Sequence, residues 1–187
     1  GEKDPRRRYT RLALTTAQVF GPTSKPFLIS ERGGLKHLIP KRGEREKAIE
    51  SLVTSGQLAE LEVEGVRYLW KPDGWPSGAV VERARILAPF DPLVRNRQRF
   101  EQVWGWRYRF EAYVPPARRE RGYYAMPLLW RDEVIGWANA RLAGERLGVE
   151  VGYVAKRPRA KAFRSAIEAE VEAMATFLNL DSGAWEL

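Results

Sequence analysis

An α+β fold follows from three features of this 187-residue sequence. Helical apolar spacing fills the first third and gives way to a hairpin signal. Strand-like runs separated by short turns occupy the second half, and a long amphipathic helix closes the chain. The content is 44% hydrophobic and 30% charged, with no apolar run near the ~18 residues that a bilayer span needs. An ordinary globular protein of the cytoplasm, with no membrane contact, is the expectation. The sequence opens on Gly1 rather than Met, as expected of a processed or excised piece.

In chain order, EKDPRRRYTRLALTTAQVF carries Pro5 near its start and Leu12, Leu14, Val19 and Phe20 beyond, the signature of a helix with a basic N-terminal end. Arg6, Arg7, Arg8 and Arg11 stand against the helix dipole, which favours acids there, and fit a solvated arm or a phosphate-contacting arm equally. GPTSKPFLISERGG, with two prolines and three glycines, reads as a loop. Leu35, Leu38 and Ile39 fit a short helix that ends before Pro40, because the residue preceding a proline is driven out of the α region. Over 44–55, Ala48, Ile49, Leu52 and Val53 have the spacing of a buried helical stripe, and Gly56 stops the helix. Strands at 57–62 and 66–70 follow, joined at Glu64-Gly65.

Helices followed by a hairpin form the winged-helix arrangement, in which the second helix commonly reads DNA. Here that helix offers Arg42, Arg45 and Lys47 interleaved with Glu44, Glu46 and Glu50, so DNA contact and plain packing both remain open. His37 reads as a surface or capping residue. KPDGWPSG, with two prolines and two glycines, is a linker signal. It divides the chain into a winged-helix module with an N-terminal helix over 1–72, a linker over 73–80, and a small antiparallel β-barrel or curved sheet with flanking helices over 81–187.

In the second part, Asp91 precedes Pro92 and is placed to cap the next helix, 93–103, which carries Arg95, Arg97 and Arg99 beside Leu93, Phe100 and Val103. Trp106, Tyr108 and Phe110 alternate with Arg107, Arg109 and Glu111, the period of a strand with one buried face over 106–114. YVPPARRERGYY cannot lie inside a sheet, because Pro115 and Pro116 lack donors. Three further strands are expected at 123–130, 134–142 and 147–154, making four in all. A final helix over 160–180 sets Phe163, Ile167, Val171, Met174 and Phe177/Leu178 on one face, with Glu168 and Glu172 outside.

The chemistry available is narrow. With no cysteine and one histidine, neither a thiolate metal site nor a Ser-His-Asp or Cys-His arrangement can be assembled from this sequence. Phosphate-cradling glycine loops are absent, and nearly every Asp and Glu neighbours an Arg or Lys, so no catalytic residue, cofactor or metal is assigned. The net charge of +8 rests on 24 Arg against 8 Lys, which suits phosphate oxygens and base edges but is also what a GC-rich genome produces. From 95 to 121 there are eight Arg and three Glu, a net of +5. Arg118, Arg119 and Arg121, flanked by Tyr113, Tyr123 and Tyr124, combine charge with rings able to stack on bases. The alternative is a hairpin tip that the arginines merely solubilise. Strand alternation would leave only one of Tyr123 and Tyr124 free. The expected DNA-binding residues are Arg118, Arg119, Arg121, Tyr123, Arg42, Arg45, Arg97 and Arg99.

Nearly the whole chain, most strongly from Ile86 to Leu142, also resembles a known family. Pro89 to Val94 (PFDPLV), Arg97 with Arg99, Trp106 to Pro115, and Arg119 to Pro127 are similar to the run shared by YcaQ/AlkZ-type winged-helix DNA glycosylases. Where that family usually has a tyrosine before Gly-Tyr-Tyr, this chain has Arg121. The resemblance implies the C-terminal portion of an enzyme about twice as long, which excises alkylated or crosslinked bases. It also implies that the catalytic glutamine signature belongs to the N-terminal portion; Gln18, Gln57, Gln98 and Gln102 lack its spacing. On that expectation the chain is a non-catalytic part that holds damaged double-stranded DNA. A stand-alone DNA-binding or interaction module is the alternative, and self-association is left open.

Overall fold

The computed structural model describes residues 3–72 and 78–187, which fall into two compact units, Gly1–Ser77 and Gly78–Leu187. Most of the linker expected over 73–80 lies outside the described residues. Among those described, no helix is long and apolar enough to cross a membrane.

In the first unit, helix α1 (Pro5–Phe20) starts where the Asp4 carboxylate accepts from the backbone N–H of Arg6, with Pro5 in the first turn where its missing donor costs nothing. Its buried face, Ala13, Thr16 and Ala17, is small-sided and packs against α4 (Arg42–Thr54). Between them lie a two-residue strand β1 (Thr23–Ser24) and two short helices, α2 (Lys25–Ile29) and α3 (Leu35–Leu38). The stretch expected as loop therefore holds a helical turn. Ser24 caps it through Phe27 N–H, Pro26 sits in its first turn, and the glycines lie outside it, Gly21 before and Gly33 and Gly34 beyond.

Strands β2 (Ala59–Val63) and β3 (Val66–Trp70) form a hairpin whose two-residue turn has positive φ at Glu64 and Gly65, the mirror-image turn that matches strand twist. β3 also pairs with β1, giving sheet order β1-β3-β2. Leu28, Leu35, Ile39, Ile49, Leu52, Leu58 and Leu69 make the core, each large side chain contributing about 1.5–3 kcal/mol on burial.

The second unit is a five-stranded sheet of order β4-β5-β6-β7-β8: β4 (Ala84–Ile86), β5 (Met126–Trp130), β6 (Glu133–Ala143), β7 (Arg146–Tyr153) and β8 (Trp185–Glu186). Neighbours are antiparallel except β8, which lies parallel to β7. A register shift at Leu128/Leu129 adds local twist. Helix α7 (Lys161–Phe177) covers one face with Phe163, Ile167, Val171 and Ala175, and Phe163 meets Trp130 edge-on at 5.3 Å. Its buried Glu170 accepts from Arg85 at 2.5 Å and from the Ile86 N–H at 2.9 Å, tying the helix to the edge strand.

Four expectations change here. Segment 106–114 forms no strand and ends in a turn: β4 occupies the β5 edge (Ala84 opposite Trp130), so its rings pack on a helix instead of joining the sheet. The helix expected over 93–103 is broken into α5 (Pro92–Arg95) and α6 (Arg97–Trp104) at buried Asn96, whose carboxamide oxygen accepts from the Arg99 N–H. Phe177 is 86% exposed, because the buried stripe runs through Val171 and Ala175 and leaves position 177 off its face. Glu172 does not project freely; it accepts from Ser182, Gly183 and Trp185 and so seats β8.

Candidate nucleic-acid interface

The arginines of this chain divide by geometry into interior braces and exposed cations. Arg45 occupies the first position of the α4 buried stripe (Arg45, Ala48, Ile49, Leu52) and donates to the carbonyls of Ile39 and Pro40 at 2.7 and 2.8 Å. Those carbonyls end α3, a helix too short to satisfy its own acceptors. The same device recurs in the second unit. Asp91 caps the start of α5 through Leu93 N–H at 2.8 Å, as expected. Around the same helix, Arg97 donates to the Val94 carbonyl and to that of Pro89 before it, and Arg99 to those of Pro92 and Leu93.

Arg45, Arg97 and Arg99 each brace backbone carbonyls, and Arg45 and Arg99 are buried while Arg97 is half-buried. The sequence held a signal for Arg45, which continues the apolar stripe backwards at i−3 and i−4. Arg99→Ala is expected to cost about 1.5–3 kcal/mol, the range for a charge-assisted hydrogen bond. Chemical denaturation checks it, and unchanged stability with weakened DNA affinity would make Arg99 a DNA contact instead.

A second construction lies between α6 and β5. Phe100, fully buried, is ringed by Trp104, Trp106 and Tyr108 at centroid distances of 4.8, 5.5 and 5.7 Å. Burial pushes the Tyr108 phenol up to about 12, against the opposing Arg97 charge, so it stays neutral and donates to the Ala125 carbonyl at 2.7 Å. Next along the chain, Glu111 is 1% exposed, yet its carboxylate accepts backbone N–H bonds from Glu120, Arg121 and Gly122 at 2.9 to 3.2 Å. Burial drives this carboxyl upward. The N–H bonds from Arg121, Glu120 and Gly122 and the Arg121 charge outweigh it, and the net direction is down.

The carboxylate thus closes the loop 112–122 upon itself. Gly122 is required there: its φ is +121°, and a Cβ would fall 2.7 Å from the Asn139 carboxamide, which itself donates to the Arg121 carbonyl at 2.6 Å.

Around this loop the expected arginines differ. Arg118 is exposed on a 3₁₀ turn (Pro116–Arg118). Arg119 donates to the Val114 carbonyl at 2.8 Å and lies over the Tyr123 ring. Arg121 is held over the Trp106 and Trp137 rings, 3.5 Å from Glu120. Tyr123 and Tyr124 are both exposed, contrary to the alternation expected, because they sit in a turn and β5 begins only at Met126.

Beside the loop is an exposed aromatic cluster: Phe90, Tyr113 and Tyr124 meet Phe110 edge-on at 5.7, 6.1 and 5.0 Å. Tyr113 is 88% exposed. Arg107 and Arg109 are exposed on the same segment. Sequence reasoning missed Phe90, which stands just before the helix-capping Asp91 in an apolar string and looks like core. Arg42 of the first unit is exposed but pairs with Glu46 at 2.9 Å.

A family model described as DNA glycosylase AlkZ-like matches residues 5–177 of this chain. Among solved structures, the Streptomyces sahachiroi DNA glycosylase AlkZ is similar in fold, with a TM-score of 0.61 at 16% identity, over 100% of this chain and 47% of that one. The chain spans about half the length of that glycosylase.

Proposed function

Because the chain belongs to the AlkZ-like DNA glycosylase family, we propose that it supplies the non-catalytic, DNA-gripping C-terminal part of an enzyme that excises alkylated or crosslinked bases. The observation that carries this reading is the cluster of exposed rings, Phe90, Tyr113 and Tyr124, beside the exposed guanidinium groups of Arg107, Arg109 and Arg118. Rings at a surface cost solvation unless a partner covers them, and a nucleic acid offers both base faces for the rings and phosphates for the cations. Support for a non-catalytic role comes from the buried carboxylates. Glu111 is consumed by three backbone donors and Glu170 by Arg85 and Ile86, so both are structural.

On this reading residues 1–72 form a winged-helix module and 81–187 the half-barrel unit that grips damaged double-stranded DNA. The exposed α4 cations Arg42 and Lys47 face Glu46 and Glu44 at 2.9 and 3.5 Å, which makes the wing module a packing element more than a phosphate grip. The double substitution Tyr113→Ala, Arg118→Ala is expected to weaken duplex binding about tenfold or more, given about 1–3 kcal/mol per stacked base. It should also reduce the salt slope by about 0.9 for the lost phosphate contact. Fluorescence anisotropy over a salt series tests it; an unchanged affinity would place the grip elsewhere.

A further inference from the structure

We infer that a second phosphate-binding surface lies at the start of α7, where Lys156, Arg157, Arg159 and Lys161 rim a cleft shaped to hold the backbone of duplex DNA. The cleft, about 1130 Å³, lies between β7 and α7 and has an apolar floor that includes Val151, Tyr153, Phe163 and Ile167. The string KRPRAK puts four cations in six residues with no acid among them, and all four are exposed. None has a carboxylate partner among the described residues: Arg157 lies over the Tyr153 ring at 5.7 Å, and the nearby ion pair, Arg164 with Glu168, involves none of the four. Glu150 and Glu168 are the carboxylate side chains on the lining, against five cations.

Four like charges held together repel one another, and among the described residues neither lining carboxylate, Glu150 or Glu168, is ion-paired with any of the four. A concave site with low-dielectric walls and an excess of cations, five against two carboxylates here, focuses a positive field outward, which attracts a polyanion. The opening of α7 adds to this, because Ala160 offers no side-chain cap and no acid lies in the first turn, so the uncapped N–H groups face the same region. A phosphodiester backbone fits better than an acidic peptide. Three of the four cations sit on an irregular segment rather than a helix face, a layout suited to phosphates spaced along a groove, and Pro158 gives the segment a fixed φ. None of these residues belongs to the aromatic cluster, so the surface would lengthen the footprint on DNA rather than repeat it.

This rests on the DNA-gripping reading above, and the test separates the two. The full chain is titrated with a labelled undamaged duplex across a salt series, alongside the variant Lys156→Ala, Arg157→Ala, Arg159→Ala, Lys161→Ala. A second variant removes the same charge from ion-paired cations, Lys25, Lys36, Lys47 and Arg67, each to Ala. The expected result is at least tenfold weaker binding for the first variant, with the slope of log K against log salt reduced by about 2–3, and a much smaller change for the second. Melting curves that match the parent exclude loss of fold; should the alanine variant melt early, the same four positions as Gln take its place. Parent-like binding of the first variant, or equal weakening in both, overturns the second surface and leaves the primary grip standing. If the parent chain itself fails to bind duplex at low salt, the DNA-gripping reading fails and takes this inference with it.

Discussion

Glu111→Ala is expected to destabilise the second unit by about 3–5 kcal/mol, because it strands three part-buried backbone donors at once, at about 1–3 kcal/mol for each unsatisfied group. The carboxylate is the acceptor for Glu120, Arg121 and Gly122 N–H together, and its removal releases the loop 112–122 that carries Arg118. Glu111→Gln retains the shape but offers one acceptor oxygen instead of two and presents an NH₂ to the same donors, so it should recover only part of the loss. The pH dependence has a defined sign. The folded carboxyl sits below its ordinary value of 4.5, so its contribution is full above the unfolded value and is lost as pH falls through the folded value. Urea denaturation of parent and Glu111→Gln between pH 7 and about pH 3 should converge toward the acid end. A difference that stays constant across that range would mean the charge of Glu111 is not what holds the loop.

Phe100→Ala is expected to cost about 3–5 kcal/mol, the range for truncating a fully buried aromatic residue. Phe100 is the ring on which Trp104, Trp106 and Tyr108 converge, and Arg121 is seated over Trp106. The cavity therefore opens beneath the wall that positions the basic loop. Calorimetry should show a lowered melting temperature, and near-ultraviolet circular dichroism should lose aromatic signal as the tryptophans lose their fixed packing. Phe100→Leu, which retains much of the volume, should fall between. A loss below about 1 kcal/mol would mean the cluster can collapse around the missing ring.

The two basic surfaces of the second unit differ in a way that bears on function. At the aromatic cluster, cations stand beside exposed rings, a combination able to engage bases as well as phosphates. At the start of α7 the cations rim an apolar floor that is largely buried, so the contact proposed there is with phosphates, which carry no sequence information.

Local elements were legible in the residues themselves. The α4 stripe, the Glu64-Gly65 turn, the Asp91 cap and the meander of β5, β6 and β7 all follow from spacing and turn chemistry, because each depends on neighbours within a few positions. The family resemblance, too, was carried by the linear string from PFDPLV to the Gly-Tyr-Tyr. What the linear string could not disclose is which arginines face solvent. Arg45, Arg97, Arg99 and Arg118 are chemically identical, yet three are drawn inward by orphan carbonyls of one-turn helices and one is left at the surface.

The segment 106–114 has the alternation of a strand and is denied a partner by β4, three residues long and lying some forty positions before β5. Glu111 alternates as if on the charged outer face and is instead the anchor of the loop. Sequence by itself determined the class of the fold, the family and the basic character of the chain, since these depend on composition and short-range pattern. Tertiary structure alone decided which charges are spent on the backbone and which remain for a ligand, because that depends on acceptors brought near by folding.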